Sequence, residues 1–252
     1  MTQEWLKSSL GKALLRQEAR VIEEALDGVF GEQCLQLGLW GERRAFLRFT
    51  RTQQCSLIAE SLAEAEDGQP CMVGEMHRLP VESDSIDAVL LPHTLDYSDR
   101  PHAVLREVDR VLRRNGCLII LGFKPGGLWG LRRLISGAGM PPGADHLISE
   151  RRLKDWLQLL DMRIQGSVRY FFRWPLPGNR ASGSNKWERR GQAWWPELAA
   201  CYMLSAQKRV STMTLVRPLW RRKPKVVAGL AEPSTRVSQA SRISRIRFDP
   251  SN

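Results

Sequence analysis

None of the five cysteines, at positions 34, 55, 71, 117 and 201, lies in a C-x-x-C pair, and their number is odd. That excludes a zinc ribbon or a thioredoxin-type redox pair, and it argues for reduced thiols rather than a disulfide framework. Long apolar runs are also missing, since none approaches the roughly 20 residues that a membrane-spanning helix needs. Residues 1–10 (MTQEWLKSSL) have no apolar centre of the kind a secretory leader carries. A cytoplasmic protein without a transmembrane segment is the expectation. The sequence shows no internal repeat, P-loop, nucleophile elbow or His/Cys/Asp/Glu cluster at metal-ligand spacing, so no metal site is expected.

Basic charge is plentiful but unevenly placed. From Lys208 to the end, eleven Lys and Arg stand against only Glu232 and Asp249, so nine of the eleven net positive charges lie in that segment. It carries Pro218, Pro224, Pro233 and Pro250, basic clusters at 221–225 (RRKPK) and 242–247 (RISRIR), and no sustained apolar periodicity. The expected organisation is one α/β domain over 1–209 and a basic, disordered tail over 210–252. Such a tail attracts nucleic acid or an anionic surface in a salt-dependent way, or simply keeps the chain soluble.

The most informative stretch is 79–125. The apolar run 86–91 predicts a strand buried on both faces. Asp99 or Ser98 is placed to cap a helix with Pro101 in its first turn, and Val104, Leu105, Val108, Val111 and Leu112 recur at helical spacing. Asn115-Gly116 supplies a left-handed stop, and 117–123 predicts a second buried strand. The unit is a βαβ crossover.

This run, LPVESDSIDAVLLPHTLDYSDRPHAVLREVDRVLRRNGCLIILGF, resembles the central block of class I S-adenosylmethionine (SAM)-dependent methyltransferases of the type 11 branch. Leu79-Pro80, Ile86-Asp87, His93, Glu107, Arg110-Val111-Leu112 and Asn115-Gly116 stand in matching places. The resemblance implies a Rossmann-like class I methyltransferase fold, a mainly parallel seven-stranded sheet with an antiparallel last strand. It also implies SAM as cofactor and a methyl acceptor that the sequence does not identify, with a small molecule the expectation.

The same resemblance implies a set of site residues. Residues 33–41 (QCLQLGLWG) stand where the family has its first strand and glycine-rich turn. Gly38 fits the first glycine, Trp40 takes the place of the second, Glu42 that of the third and Gln36 that of the acidic residue. Gln36, Gly38, Leu39, Trp40 and Gly41 are therefore the implied cofactor turn, and the indole of Trp40 is either an aromatic wall or an obstruction. Glu60, near the end of a second strand at 54–61, is the implied partner of the ribose hydroxyls, since a carboxylate accepts both hydrogen bonds. Glu75-Met76, at the end of a third strand at 71–75, are implied at the adenine, with a solvent-facing acid as the plain alternative. Pro92 and His93 end the fourth strand beside the cofactor's amino group. His93 is also the candidate general base, because its ordinary pKa lies near neutrality, although loop histidines are more often structural. Asp96 and Tyr97 line the same turn.

Around this block, residues 5–27 read as one amphipathic helix with Leu6, Leu10, Leu14, Ile22 and Leu26 near one stripe. Residues 43–51 predict a stunted helix, and 61–70 are too few for a full second crossover helix. Residues 124–143 are Gly- and Pro-rich around a short helix at 128–135. Ser149 caps a helix to about 161, and strands follow at 162–174 and 199–206. Between these strands, 186–196 (KWERRGQAWWP) interleaves basic and aromatic residues that either stack on bases or pack the loop onto the domain. A non-catalytic member of the fold, binding a partner or nucleic acid through its basic tail, is the alternative to an enzyme.

Overall fold

The structure is a computed structural model that describes residues 2–42, 45–60, 72–130, 143–144, 146–173 and 196–209. A compact unit runs over Met1–Ser211. The second crossover at 61–70, most of the Gly/Pro-rich insertion, the tryptophans and cations of 186–195 and the tail from 210 lie outside the described residues.

Helix α1 (Thr2–Leu6) and helix α2 (Ser9–Leu26) are followed by strands β1 (Phe30–Leu37), β2 (Arg51–Ala59), β3 (Met72–Val73) and β4 (Ile86–Pro92). Helix α3 (Thr94–Tyr97), helix α4 (Pro101–Val111), strand β5 (Leu112–Phe123), helix α5 (Glu150–Leu159) and strands β6 (Met162–Tyr170) and β7 (Cys201–Lys208) complete it. The strands form one seven-stranded sheet in the order β3-β2-β1-β4-β5-β7-β6. β1 through β5 pair in parallel, and β7 runs antiparallel to both β5 and β6. This is the expected architecture. Because β1 lies between β2 and β4, the strand order reverses there, and a crevice for ligands belongs at the carboxyl ends of these two strands.

Several local expectations need correcting. The single helix at 5–27 is two helices, because Ser8 caps α2 with its hydroxyl accepting from Gly11 N–H at 3.1 Å. Neither Ser98 nor Asp99 caps α4: Arg100 is the N-cap and bonds through no side chain, while the Ser98 hydroxyl accepts from the Arg100 N–H at 3.2 Å. Pro101 opens the helix as expected. Asn115 is left-handed (φ 64°), but inside a longer β5 rather than at a helix stop, since α4 passes directly into β5 at Leu112. The stunted helix at 43–51 reduces to a 3-10 turn, Leu47–Phe49, and Arg51 already belongs to β2. Among the described residues β3 is Met72–Val73, so Glu75 lies beyond the strand. Lys208, the first of the C-terminal cations, ends β7, and its ammonium donates to the carbonyls of Asp109 (2.6 Å) and Leu112 (2.9 Å).

Two apolar layers sandwich the sheet. On one face α4 and α5 bury Val104, Leu105, Val108, Leu153 and Leu157 against Leu35, Val89, Leu91, Leu118 and Ile120. On the other, α2 buries Leu14, Val21, Ile22 and Leu26 with Cys34, Trp40, Ala88, Leu90 and Phe123. At the amino end of the sheet, Asp87 accepts from the Glu32 and Gln33 N–H groups at 2.7 and 2.9 Å and pairs with Arg113 at 3.0 Å. The family-like Asp87 is thus a strand-end clamp.

The capped start of α5 makes a pH-dependent prediction. Glu150 is nearly buried and meets Lys154 (2.5 Å), Arg169 (2.7 Å) and the Ser167 hydroxyl (2.8 Å). Burial opposes its charge, but these three donors outweigh burial and lower its pKa from 4.5 to about 2. A depressed carboxylate stabilises fully above its unfolded pKa, and this stabilisation is lost as pH falls through the folded value. Glu150 should therefore contribute on the order of 2–3 kcal/mol at neutral pH, lost between about pH 4.5 and pH 2. Denaturant titrations of Glu150→Gln should show a lower midpoint at pH 7 and a flatter pH dependence across that window.

Candidate active site at the carboxyl edge of the sheet

The turn after β1 is shaped by backbone conformation. Gly38 and Gly41 are both left-handed, at φ 86° and 71°, which only glycine adopts without strain. A Cβ on Gly38 would stand 3.0 Å from the Thr94 hydroxyl, and one on Gly41 would stand 2.8 Å from Leu15 of α2. The Gly38 N–H donates to Ile58 O at 2.8 Å, and the Thr94 hydroxyl donates to Leu37 O, so the ends of β1, β2 and β4 are tied together. Gln36 is fully buried, with its amide nitrogen donating to Gly38 O at 3.0 Å and its Oε1 bonded to nothing among the described residues.

Trp40 leaves this turn and lies beneath α2, 2% exposed. Its Nε1 donates to Glu18 at 2.7 Å, and its ring packs on His93 at 4.4 Å and on Tyr97 and Phe123 at 5.9 Å. His93 is left-handed (φ 57°) at the start of α3, fully buried and stacked on Phe123 at 3.9 Å. Its Nε2 faces Glu18 at 2.7 Å and its Nδ1 faces Asp96 at 3.3 Å. Asp96 in turn accepts from the Phe123 N–H at 2.9 Å. Trp129 stacks behind Phe123, and the buried hydroxyl of Tyr170 comes close to Glu18.

The electrostatics follow from this enclosure. Burial works against a His93 imidazolium, but the Glu18 charge and the hydrogen bonds of both carboxylates outweigh it, so the His93 pKa is raised. Burial raises Asp96 above the usual carboxylate range, against the opposing pull of His93 and the Phe123 N–H. The two groups share protons as one unit, and both ring nitrogens of His93 are already engaged.

The other implied residues lie apart from this cluster. Glu60 is exposed just past β2, and Glu75 is exposed past β3, 3.4 Å from His77. Met76 is 3% exposed within the α4-side core, and Pro92 is the buried last residue of β4. The structure therefore assembles Gln36, Gly38, Trp40, Pro92 and His93 at the β1–β4 crevice, with Glu60 and Glu75 on the strand ends beyond. Glu18, Thr94, Phe123, Trp129 and Tyr170 are members that sequence reasoning missed.

Known proteins share this fold and part of this sequence. Residues 39–120 match the family model described as a methyltransferase domain, of the type 11 group. YafS of Escherichia coli (strain K12), described as uncharacterized, is 32% identical over 160 residues, covering 63% of this chain and 63% of YafS. The chain thus matches less than two thirds of that relative's length. Geranyl diphosphate C-methyltransferase from Streptomyces coelicolor A3(2), solved with Mg2+, geranyl diphosphate and S-adenosyl-L-homocysteine, has a TM-score of 0.55 at 14% identity, covering 77% of this chain and 80% of that one. A SAM-dependent methyltransferase from Archaeoglobus fulgidus has a TM-score of 0.54 at 15% identity, covering 77% and 93%. The chain has the class I methyltransferase fold, its residues 39–120 match the methyltransferase-domain model, and that match supports SAM as cofactor.

The residues present fit that group. A buried acceptor without a partner requires an explanation, and Gln36 Oε1 is one beside a left-handed glycine turn. Glu60 and Glu75 are exposed carboxylates at the neighbouring strand ends, where each has oxygens to accept from hydroxyl and amino groups. No helix among the described residues is long and apolar enough to cross a membrane.

Proposed function

We propose that the chain is a methyltransferase that transfers the methyl group of SAM to a small-molecule acceptor. The observation that carries this reading is the orphaned Gln36 acceptor in the left-handed glycine turn, within the segment that matches the methyltransferase domain. The bound cofactor supplies an activated methyl on a sulfonium, so the protein's task is chiefly alignment. Gln36 with the Gly38–Gly41 backbone would hold the amino-acid end, Glu60 the ribose hydroxyls, and Glu75 with the Met76 N–H the adenine. Trp40, Tyr97, Phe123 and Trp129 form an aromatic wall that suits a small acceptor and excludes water. His93 takes a proton from an acceptor only when Glu18 or Asp96 withdraws, and in the closed arrangement it is a positioning residue. The methyltransferase unit of 1–209 is followed by the basic tail of 210–252. The free cysteines 34, 55, 117 and 201 suit a reducing, cytoplasmic setting.

One observation favours a second reading, a non-catalytic member of the fold. Trp40 occupies the place of a glycine and is locked by Glu18 and His93 at the crevice. Calorimetric titration of the folded chain separates the two readings. The expected result is saturable heat with SAM and with its demethylated product. Folded protein that gives no heat and no thermal shift at about millimolar SAM establishes the second reading, since so weak a ligand contributes almost nothing.

A further inference from the structure

A groove of about 650 Å³ runs between α2 and the connection from β1 to β2. Among the described residues that connection holds one helical element, the 3-10 turn Leu47–Phe49. Its walls carry Lys12, Arg16 and Arg20 of α2 and Arg48 of the turn, against Glu23 and Glu42. No carboxylate among the described residues pairs with any of these four cations within 4 Å. Leu15, Ala19, Ala45 and Phe49 form a floor, and the Arg48 guanidinium lies 4.7 Å over the Phe49 ring.

We propose that this groove binds single-stranded nucleic acid. Lys12, Arg16 and Arg20 recur every fourth residue, so their stems are spaced about 6 Å apart along the helix. That regular stripe suits successive backbone phosphates, and Phe49 with its stacked guanidinium offers a platform for a base. A flat bilayer is disfavoured because the cations face a concave cleft walled by residues 45–49 rather than an exposed plane. An acidic peptide is disfavoured because its carboxylates do not need the aromatic floor. The groove is not the acceptor site. Glu18 lies two residues from both Arg16 and Arg20, about 200° around the helix, and faces the interior. The proposal therefore stands whether or not methyl transfer does.

The test uses the full-length chain and fluorescence anisotropy with a labelled 12-nucleotide oligo(U) across a salt series. Lys12→Gln/Arg16→Gln/Arg20→Gln alters exposed helix positions, and circular dichroism checks that it folds. The tail is present in both proteins, so any difference belongs to the groove. Removing three phosphate contacts should lower the slope of log K against log salt by about 2 and weaken binding at least tenfold near 0.1 M salt. Phe49→Ala should weaken binding several-fold with the slope unchanged, the signature of lost stacking. Wild-type slope and affinity in the triple variant overturn the proposal and leave the tail as the binding element. Displacement of the oligonucleotide by polyglutamate at equal charge concentration also overturns it, in favour of an acidic protein partner. Capture by anionic phospholipid vesicles that the triple variant loses, without loss of oligonucleotide binding, assigns the groove to membrane instead.

Discussion

Glu18→Ala should destabilise the protein by about 3–5 kcal/mol, the range for removing one member of a buried charge pair. Glu18 is fully buried in the apolar stripe of α2, and it is the shared partner of Trp40 Nε1 and His93 Nε2, each at 2.7 Å. Alanine leaves the Trp40 indole donor and the Nε2 of His93 without a partner in a buried site. Glu18→Gln keeps an acceptor for Trp40 and should cost less, about 1–3 kcal/mol. The two variants also differ from wild type in pH response. A raised histidine pKa stabilises the fold fully below the unfolded value near 6.5, and this stabilisation is lost as pH rises through the folded value. Asp96, also raised, loses stability in the same direction from a lower starting pH. Wild-type urea midpoints should therefore fall as pH rises above about 6.5, and Glu18→Gln should flatten that fall because the chief raising charge is gone. Equal slopes in the two proteins would show that His93 and Glu18 are not coupled.

Much of this arrangement is legible in the amino-acid sequence itself. The strand at 86–91, the helix with Val104, Leu105, Val108 and Val111 inward, and the late hairpin follow from period and length, because strands buried on both faces leave an unbroken apolar signature. Boundaries are less legible where a side chain changes partner. Ser8 breaks the first helix through one hydrogen bond, and Asn115 carries a helix-stop signal that the structure uses inside β5. Local propensity cannot distinguish these outcomes, because the pairing that makes this stretch a strand is tertiary: Leu112 pairs with Ile86, and Cys117 with Ala88 of β4 and Gln207 of β7.

The candidate site is legible by half. The glycine turn and His93 follow from a linear pattern, whereas Glu18 reaches His93 across 75 residues of chain. One signal does point to it. The stripe of Leu6, Leu10, Leu14, Ile22 and Leu26 recurs every four residues except at 18, where a glutamate occupies a core-facing position. A carboxylate inside an apolar stripe needs a donor, and the sequence offers Trp40 and His93 as polar groups near strand ends. What the pattern cannot give is which of them it meets, since that depends on the path of the turn from Gly38 to Gly41.

The residue on which the two functional readings part is Trp40, and Trp40→Gly should weaken SAM binding at least tenfold. The indole is 2% exposed and touches Glu18, His93, Tyr97 and Phe123, so it builds the wall of the crevice rather than standing loose within it. Its removal should cost about 3–5 kcal/mol as a large-to-small core change. It also leaves Glu18 with one fewer donor, so Trp40→Gly and Glu18→Ala together should cost less than their sum, as for residues in one network. Binding is expected to weaken because His93, stacked between Trp40 and Phe123, loses one of the two surfaces that fix its ring beside Pro92. Calorimetry on the variant, at a temperature where circular dichroism shows it folded, reads the effect separately from stability. If Trp40→Gly instead binds SAM more tightly than wild type, the indole is an obstruction standing in a glycine's place, and the protein is a lapsed enzyme whose crevice the mutation reopens.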